Sequence, residues 1–331
     1  MKHIFLAGAL LPLAAQAAPA TAPAAPQMVD LKILQTQVVL SKLGFSPGVL
    51  DGKGGESLND ALRGFQEARG LPKSGKLDPA TQRALAPYGS IPATRTLTLT
   101  ADALRGPFTF PMPTDEAEKA KLPALNYRNA LEALAERFHT TNATLIALNG
   151  GDTRLAPGVE VVFPNALPAS RDYKAGDDAW RGRLNALNVS AEQPQAARIV
   201  VDKSDRVLRV YDANDKLVAQ FPATMGSKTD PLPLGRWTIK GIAYNPDWQY
   251  NPAILKRVDK SDEKMRIPPG PNNPVGVVWI DLSKPHYGIH GTPDPEKIGR
   301  AESNGCIRLT NWDAARLSLM VKAGVPAIFQ L

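Results

Sequence analysis

Ile289-His290-Gly291-Thr292, followed by Ser303-Asn304-Gly305-Cys306-Ile307-Arg308-Leu309, contains the only cysteine of a 331-residue chain. The thiol stands between a glycine and a short apolar stretch. Gly305 frees the backbone for a tight turn that can present a side chain. His290 lies sixteen residues upstream, at the end of a strand-like run, so the intervening loop can return it to the side of Cys306. Such a pair supplies the thiolate that attacks a carbonyl and the base that handles its proton. Spacing alone leaves a second reading open, a small buried cysteine beside an unrelated histidine.

Outward from this stretch the pattern has a period of two. Ile199, Val201, Val207, Leu208, Val210 and Tyr211 predict a hairpin across Lys203-Ser204-Asp205, and Leu217 to Phe221 a further strand. Strands are also predicted at Trp237 to Ile242, Val275 to Asp281, Gly288 to Gly291 and Val325 to Leu331. Thr310 with Asp313 forms a capping box for a helix from Asn311 to Ala323, stopped by Gly324. No alternating strand–helix pattern points to a parallel sheet, so this part is β-rich with one clear helix. His286 is placed on the strand of His290, on the same face. Trp237, Tyr244, Trp248 and Tyr250 read as core, or as a wall over a substrate.

The motif resembles the catalytic signature of the L,D-transpeptidase family, also called the YkuD domain. Its elements are His290-Gly291-Thr292 and, with twelve residues between His290 and Ser303, Ser303-x-Gly305-Cys306-Ile307-Arg308. Thr224-Met225-Gly226 and Pro231-Leu232-Pro233-Leu234-Gly235-Arg236-Trp237 resemble an upstream segment of the same family. The resemblance covers about 197–331. It implies that Cys306 is the nucleophile, His290 the general acid/base, and the Gly291 carbonyl the group that orients the imidazole. It also implies oxyanion or substrate contacts from Ser303, Asn304, Gly305 and Arg308. Asn304 stands where many members have histidine; it keeps an amide donor.

The N-terminal half reads as smaller units. Lys2, the apolar run Ile4 to Leu13 and Ala15-Gln16-Ala17 predict a signal peptide over 1–18, followed by a Pro/Ala linker over 19–29. Residues 30–88 resemble the peptidoglycan-binding-like domain, a three-helix module, through Leu43-Gly44-Phe45, Asp51-Gly52, Phe65-Gln66 and Leu77-Asp78. Residues 89–125 read as a connection with one strand, Thr96 to Thr100. Residues 126–165 resemble a LysM module of βααβ form through Leu134-Ala135, Phe138, Leu148-Asn149 and Val161-Val162-Phe163-Pro164. The usual Gly-Asp-Thr-Leu opening is absent, with Tyr127-Arg128-Asn129-Ala130 in its place. His139 reads as a surface residue of that unit. Residues 166–196 form a polar connection with a helix near Trp180 to Leu187.

The expected fold is thus multidomain α+β, and the expected product an exported enzyme of the periplasm or cell wall. The formal charge of +7 is scattered, without the basic run that nucleic acid would require. His-x-His, Cys-x-x-Cys and His-Glu-x-x-His are absent, so no metal or other cofactor is expected. The resemblance implies release of D-alanine from a donor tetrapeptide stem, then transfer to an amine. Acceptors include another stem, giving a 3→3 cross-link, and a lipoprotein lysine. Stem peptides and glycan strands are the expected partners, with no stable membrane insertion once the signal is cleaved. The alternatives are an L,D-carboxypeptidase or endopeptidase on the same scaffold, and a non-catalytic peptidoglycan-binding protein.

Overall fold

The computed structural model describes residues 28–331 apart from 175, 228–229, 254–262 and 301–304. The predicted signal peptide, most of the linker after it, and Ser303 and Asn304 lie outside the described residues. Among the described residues, no helix is long and apolar enough to cross a membrane.

Helices α1 (Leu31–Lys42), α2 (Glu56–Ala68) and α3 (Pro79–Leu85) form the N-terminal module. Asp30 caps α1 and Asp78 caps α3, each accepting from backbone N–H groups of the first turn. Leu40, Phe45, Leu58, Leu62 and Phe65 form its core.

Next come β1 (Thr94–Thr98), α4 (Glu116–Ala120), α5 (Ala130–Arg137), α6 (Asn142–Asn149) and β2 (Glu160–Pro164). β1 pairs with β2 antiparallel, Thr96 opposite Val162, and α5 and α6 cover them. Phe138 and Phe163 stack at 4.0 Å between centroids. The partner of β2 therefore comes from the stretch read as a connection, two residues earlier than Thr96 to Thr100.

Helix α7 (Asp178–Ala186) leads into the C-terminal domain. Its strands are β3 (Arg198–Asp202), β4 (Val207–Tyr211), β5 (Leu217–Pro222), β6 (Thr224–Met225), β7 (Gly235–Tyr244), β8 (Trp248–Tyr250), β9 (Met265–Ile267), β10 (Val278–Leu282), β11 (Gly288–His290) and β12 (Ile307–Arg308). Helix α8 (Asn311–Met320) and β13 (Pro326–Gln330) close the chain. The main sheet runs β5-β4-β3-β13-β7-β10-β11-β12-β6, with β8 and β9 a separate hairpin. Two of its pairs, β13 with β3 and β11 with β12, are parallel. The mixed sheet arises because the last strand returns to the centre beside β3, a pairing invisible to local periodicity.

Helix α8 ends three residues earlier than the capping pattern suggested. Val321 is already extended, and Gly324 N–H donates to the Ile239 carbonyl at 2.8 Å. The chain must turn there to deliver β13 to the sheet. Thr310 caps the start as expected, accepting from Asp313 N–H at 3.1 Å.

The units are docked, not strung out. Gly44 and Ser46 add backbone hydrogen bonds to Gln220 on the edge strand β5, covering an edge that would otherwise expose unpaired groups. Ser46 Oγ donates to buried Asp313 at 2.8 Å. Trp180, Leu184, Leu187 and Val189, from the stretch read as a polar connection, are part of the catalytic-domain core. His139 is buried, contrary to the surface reading. Its ring stacks on Trp312 of α8 at 5.1 Å, and Nε2 lies 2.7 Å from the Leu187 carbonyl. Burial lowers its pKa to about 3, so it serves as a neutral hub between units.

Candidate active site

Alternation along the strands builds the site. One row across the sheet is Ile242, Ile280, Ile289, Ile307 and Met225, and this face packs into the core. Moving one residue along each strand turns to the other face: Ala243, Trp279, His290 and Arg308 lie side by side on β7, β10, β11 and β12. Ala243 is small and leaves room for a groove of about 460 Å³ lined also by Trp248, Tyr287 and Cys306. Trp279 stands directly opposite His290 on the antiparallel neighbour, and the rings stack at 5.4 Å.

Cys306 immediately precedes β12 and is half-buried. Gly305 has φ +88°, and a Cβ there would lie 2.8 Å from the Tyr287 ring. Both the left-handed backbone and the aromatic neighbour demand glycine. The thiol donates to the His286 carbonyl at 3.9 Å. His286 is not on the His290 strand: it has φ +67° and sits in the turn before β11, lining the groove. The aromatics divide. Trp248 lines the groove, Tyr250 is buried in the hairpin cluster and Tyr244 stacks on Trp180 at 4.5 Å. Trp237 packs at the margin of the core, its indole N–H on the Pro233 carbonyl.

His290 is buried, and Nδ1 lies 2.7 Å from the Gly291 carbonyl. A carbonyl only accepts, so Nδ1 carries the proton and Nε2 keeps its lone pair. Burial, then the positive charge of Arg308, lowers the imidazole pKa to about 3 against the pull of that carbonyl. Burial also raises the Cys306 thiol; the Gly288 backbone and Arg308 oppose this, and Asp230 adds to it. At rest, thiol and imidazole are both neutral.

Sequence reading did not single out Asn311. It is fully buried; its Oδ1 accepts from Val277 N–H at 3.2 Å, and its Nδ2 donates to Glu136 at 2.8 Å and to the Pro271 carbonyl at 3.1 Å. A Cβ on Gly291 would collide with its Oδ1. Its partners lie 34 to 175 positions away, so only its place at a helix start was visible. Gly291→Ala is expected to cost about 1–3 kcal/mol through this overpacking, read by denaturant unfolding, and to slow acylation of Cys306. An unchanged midpoint would show that Asn311 can yield.

A thiol, an imidazole whose Nδ1 is held by a backbone carbonyl, and a guanidinium in one groove are groups that could carry acyl transfer through a thioester. The comparisons agree with this class. Residues 196–328 match the model of the L,D-transpeptidase catalytic domain, YkuD, and residues 30–85 that of the peptidoglycan-binding domain. A Bacillus licheniformis protein named as the L,D-transpeptidase YkuD is 30% identical over 199 residues, 59% of this chain and 89% of that protein. A Fuscovulum blasticum protein, also named as an L,D-transpeptidase, is 33% identical over 146 residues, 44% of this chain and 72% of that protein. The chain belongs to the YkuD family of L,D-transpeptidases, and is therefore an acyltransferase. Among solved structures, the L,D-transpeptidase from Mycobacterium smegmatis aligns at 22% identity with a TM-score of 0.33. That alignment covers 40% of this chain and 58% of that one, less than two thirds of its length, and the assignment does not rest on it.

Proposed function

We propose that the protein is a peptidoglycan L,D-transpeptidase in which Cys306 attacks a donor tetrapeptide stem at the carbonyl that follows the L-centre of meso-diaminopimelate. The sulfur–carbon bond forms as the amide bond to D-alanine breaks, and His290 passes the thiol proton to the leaving amine. An acceptor amine then attacks the thioester, a new amide forms, and the thiol recovers its proton through His290. Backbone N–H groups at Gly305 and Cys306 serve the oxyanion, and Arg308 a substrate carboxylate. Ser303 and Asn304 remain candidates for substrate contact from the sequence motif.

The observation that carries this reading is the shared groove of Cys306, His290 and Arg308 on the face of the sheet away from the core. We read the unit around β1 and β2 as LysM-like. Its antiparallel β1–β2 pair covered by α5 and α6 supports this, with the first strand supplied from before position 126 and α4 inserted between that strand and α5. With the peptidoglycan-binding module it would hold the enzyme on the wall and raise local substrate concentration. Export to the periplasm or cell wall follows from that substrate, and a carbapenem would acylate Cys306. The test is the product profile with purified tetrapeptide muropeptides: new 3→3 dimers are expected. D-alanine release without any dimer would replace the transferase by a hydrolase.

A further inference from the structure

Glu136 lies in the last turn of α5, between the two spans matched by family models, and its carboxylate is buried. Among the described residues it has no ion pair within 4.0 Å. Placing an acid there is costly, and an apolar residue would dock two units more cheaply. What the carboxylate does is accept from Asn311 Nδ2 at 2.8 Å. From Asn311 the path to the reacting groups is short. Its Oδ1 is pressed against the backbone of Gly276 and Gly291 so closely that neither could carry a Cβ. The Gly291 carbonyl, in turn, lies 2.7 Å from His290 Nδ1.

We propose that Glu136 and Asn311 are positioning residues for the transfer reaction: the accessory unit around β1 and β2 reaches into the catalytic domain and holds the carbonyl that orients His290. This rests on His290 being the general base. The unit is placed firmly enough for the task. Leu125 N–H donates to the Pro269 carbonyl at 2.8 Å, and Asn272 N–H donates to the Leu125 carbonyl at 3.0 Å. Asn272 Nδ2 donates to the Asn126 carbonyl at 2.8 Å. Residues 269–272 thus lie fixed between the accessory unit and Asn311, which also bonds the Pro271 carbonyl. Without the carboxylate, the Asn311 amide loses one of the two acceptors of its Nδ2 and can turn. The Gly291 carbonyl then loses its backing and the imidazole its fixed tautomer.

The carboxylate also titrates in a useful range. Burial raises its pKa to about 7, opposed by the Tyr127 hydroxyl, the Asn311 amide and Arg183, with Glu132 adding to the rise. Above pH 7 the ionised group holds Asn311 most strongly, because a charged acceptor makes the stronger bond.

The experiment uses the full chain and measures acylation of Cys306 by a tetrapeptide donor in single turnovers from pH 5 to 9, together with melting temperature. Glu136→Ala and Asn311→Ala are expected to lower the acylation rate about 10–100-fold with KM within about twofold. Glu136→Gln keeps the shape and an acceptor; it is expected to stay within about threefold of the parent and to lack the parent's inflection near pH 7. Alanine variants that melt lower but acylate at the parental rate would make the contact merely structural and overturn the proposal. Should they fail to fold, the Glu136→Gln profile decides: an inflection retained there, or absent from the parent, overturns it equally. Parental rates in His290→Gln would instead remove the base assignment itself. Loss in His290→Gln with no effect at 136 and 311 would remove only this inference.

Discussion

Cys306→Ala is expected to abolish peptidyl transfer, by at least about 10⁴-fold, while leaving the melting temperature within about a degree of the parent. The chemical argument is that no neighbour can replace the sulfur: the groove is lined by aromatic, aliphatic and charged groups, and Cys306 is the only cysteine in the chain. Losing a covalent nucleophile typically removes nearly all of the catalysed rate, leaving what binding and the oxyanion donors supply. The structural argument is that little packing is lost. The side chain is half-buried, and the bond from its thiol to the His286 carbonyl is a long 3.9 Å. The backbone that matters belongs to Gly305 and to Ile307, whose side chain faces the core. Intact-mass analysis after incubation with a tetrapeptide donor, or with a carbapenem, should show the acyl adduct on the parent and none on the variant. An adduct on the variant, or residual cross-linking above background, would remove Cys306 from the mechanism.

The grouping of His290, Cys306 and Arg308 in one groove was legible because it is local. His290, Gly305, Cys306 and Arg308 fall within nineteen positions, and period-two alternation tells which of them turn away from the isoleucine face. The helices of the first module were legible for the same reason, α1 and α2 from apolar residues at helical spacing and α3 from the turn that precedes it. What could not be read depends on distant partners. β1 finds β2 more than sixty residues later, and β13 joins β3 more than a hundred residues earlier. His139 looked exposed because its neighbours Trp312 and Leu187 come from other units. Asn311 and Glu136 carried no motif at all, since each is defined by the other across 175 positions. The end of α8 was misjudged by three residues because the sheet, and not the Gly324 signal, decides where the chain must turn.

His290→Gln is expected to cut acylation about 10²–10⁴-fold, the usual worth of a positioned base, and at the same time to make the protein more resistant to acid. Both effects come from one fact: the imidazole is held neutral by burial and by Arg308, with its pKa lowered to about 3 from 6.5. A neutral imidazole with Nδ1–H on the Gly291 carbonyl keeps Nε2 able to take the thiol proton across the working pH range. Because burial also raises the thiol, the resting enzyme holds no thiolate–imidazolium pair, and proton transfer accompanies attack. The parent's acylation rate should therefore show no acid limb set by His290 itself, the inflection near pH 7 being that of Glu136 and absent from Glu136→Gln. It should instead climb on the alkaline side as the thiol begins to ionise. A bell with its acid arm governed by His290 near pH 6.5, one that vanishes in His290→Gln, would contradict this. The sign for stability runs the other way from catalysis. Between about pH 3 and 6.5 the unfolded chain binds a proton at this position and the native one does not, so stability falls as pH drops below 6.5, by at most about 1.4 kcal/mol per unit. Glutamine cannot take that proton, and the variant should lose less stability than the parent from pH 6.5 to 4 in parallel denaturant titrations. Equal acid sensitivity in the two proteins would mean that the imidazole is charged in the native state, and the neutral-pair chemistry would fall with it.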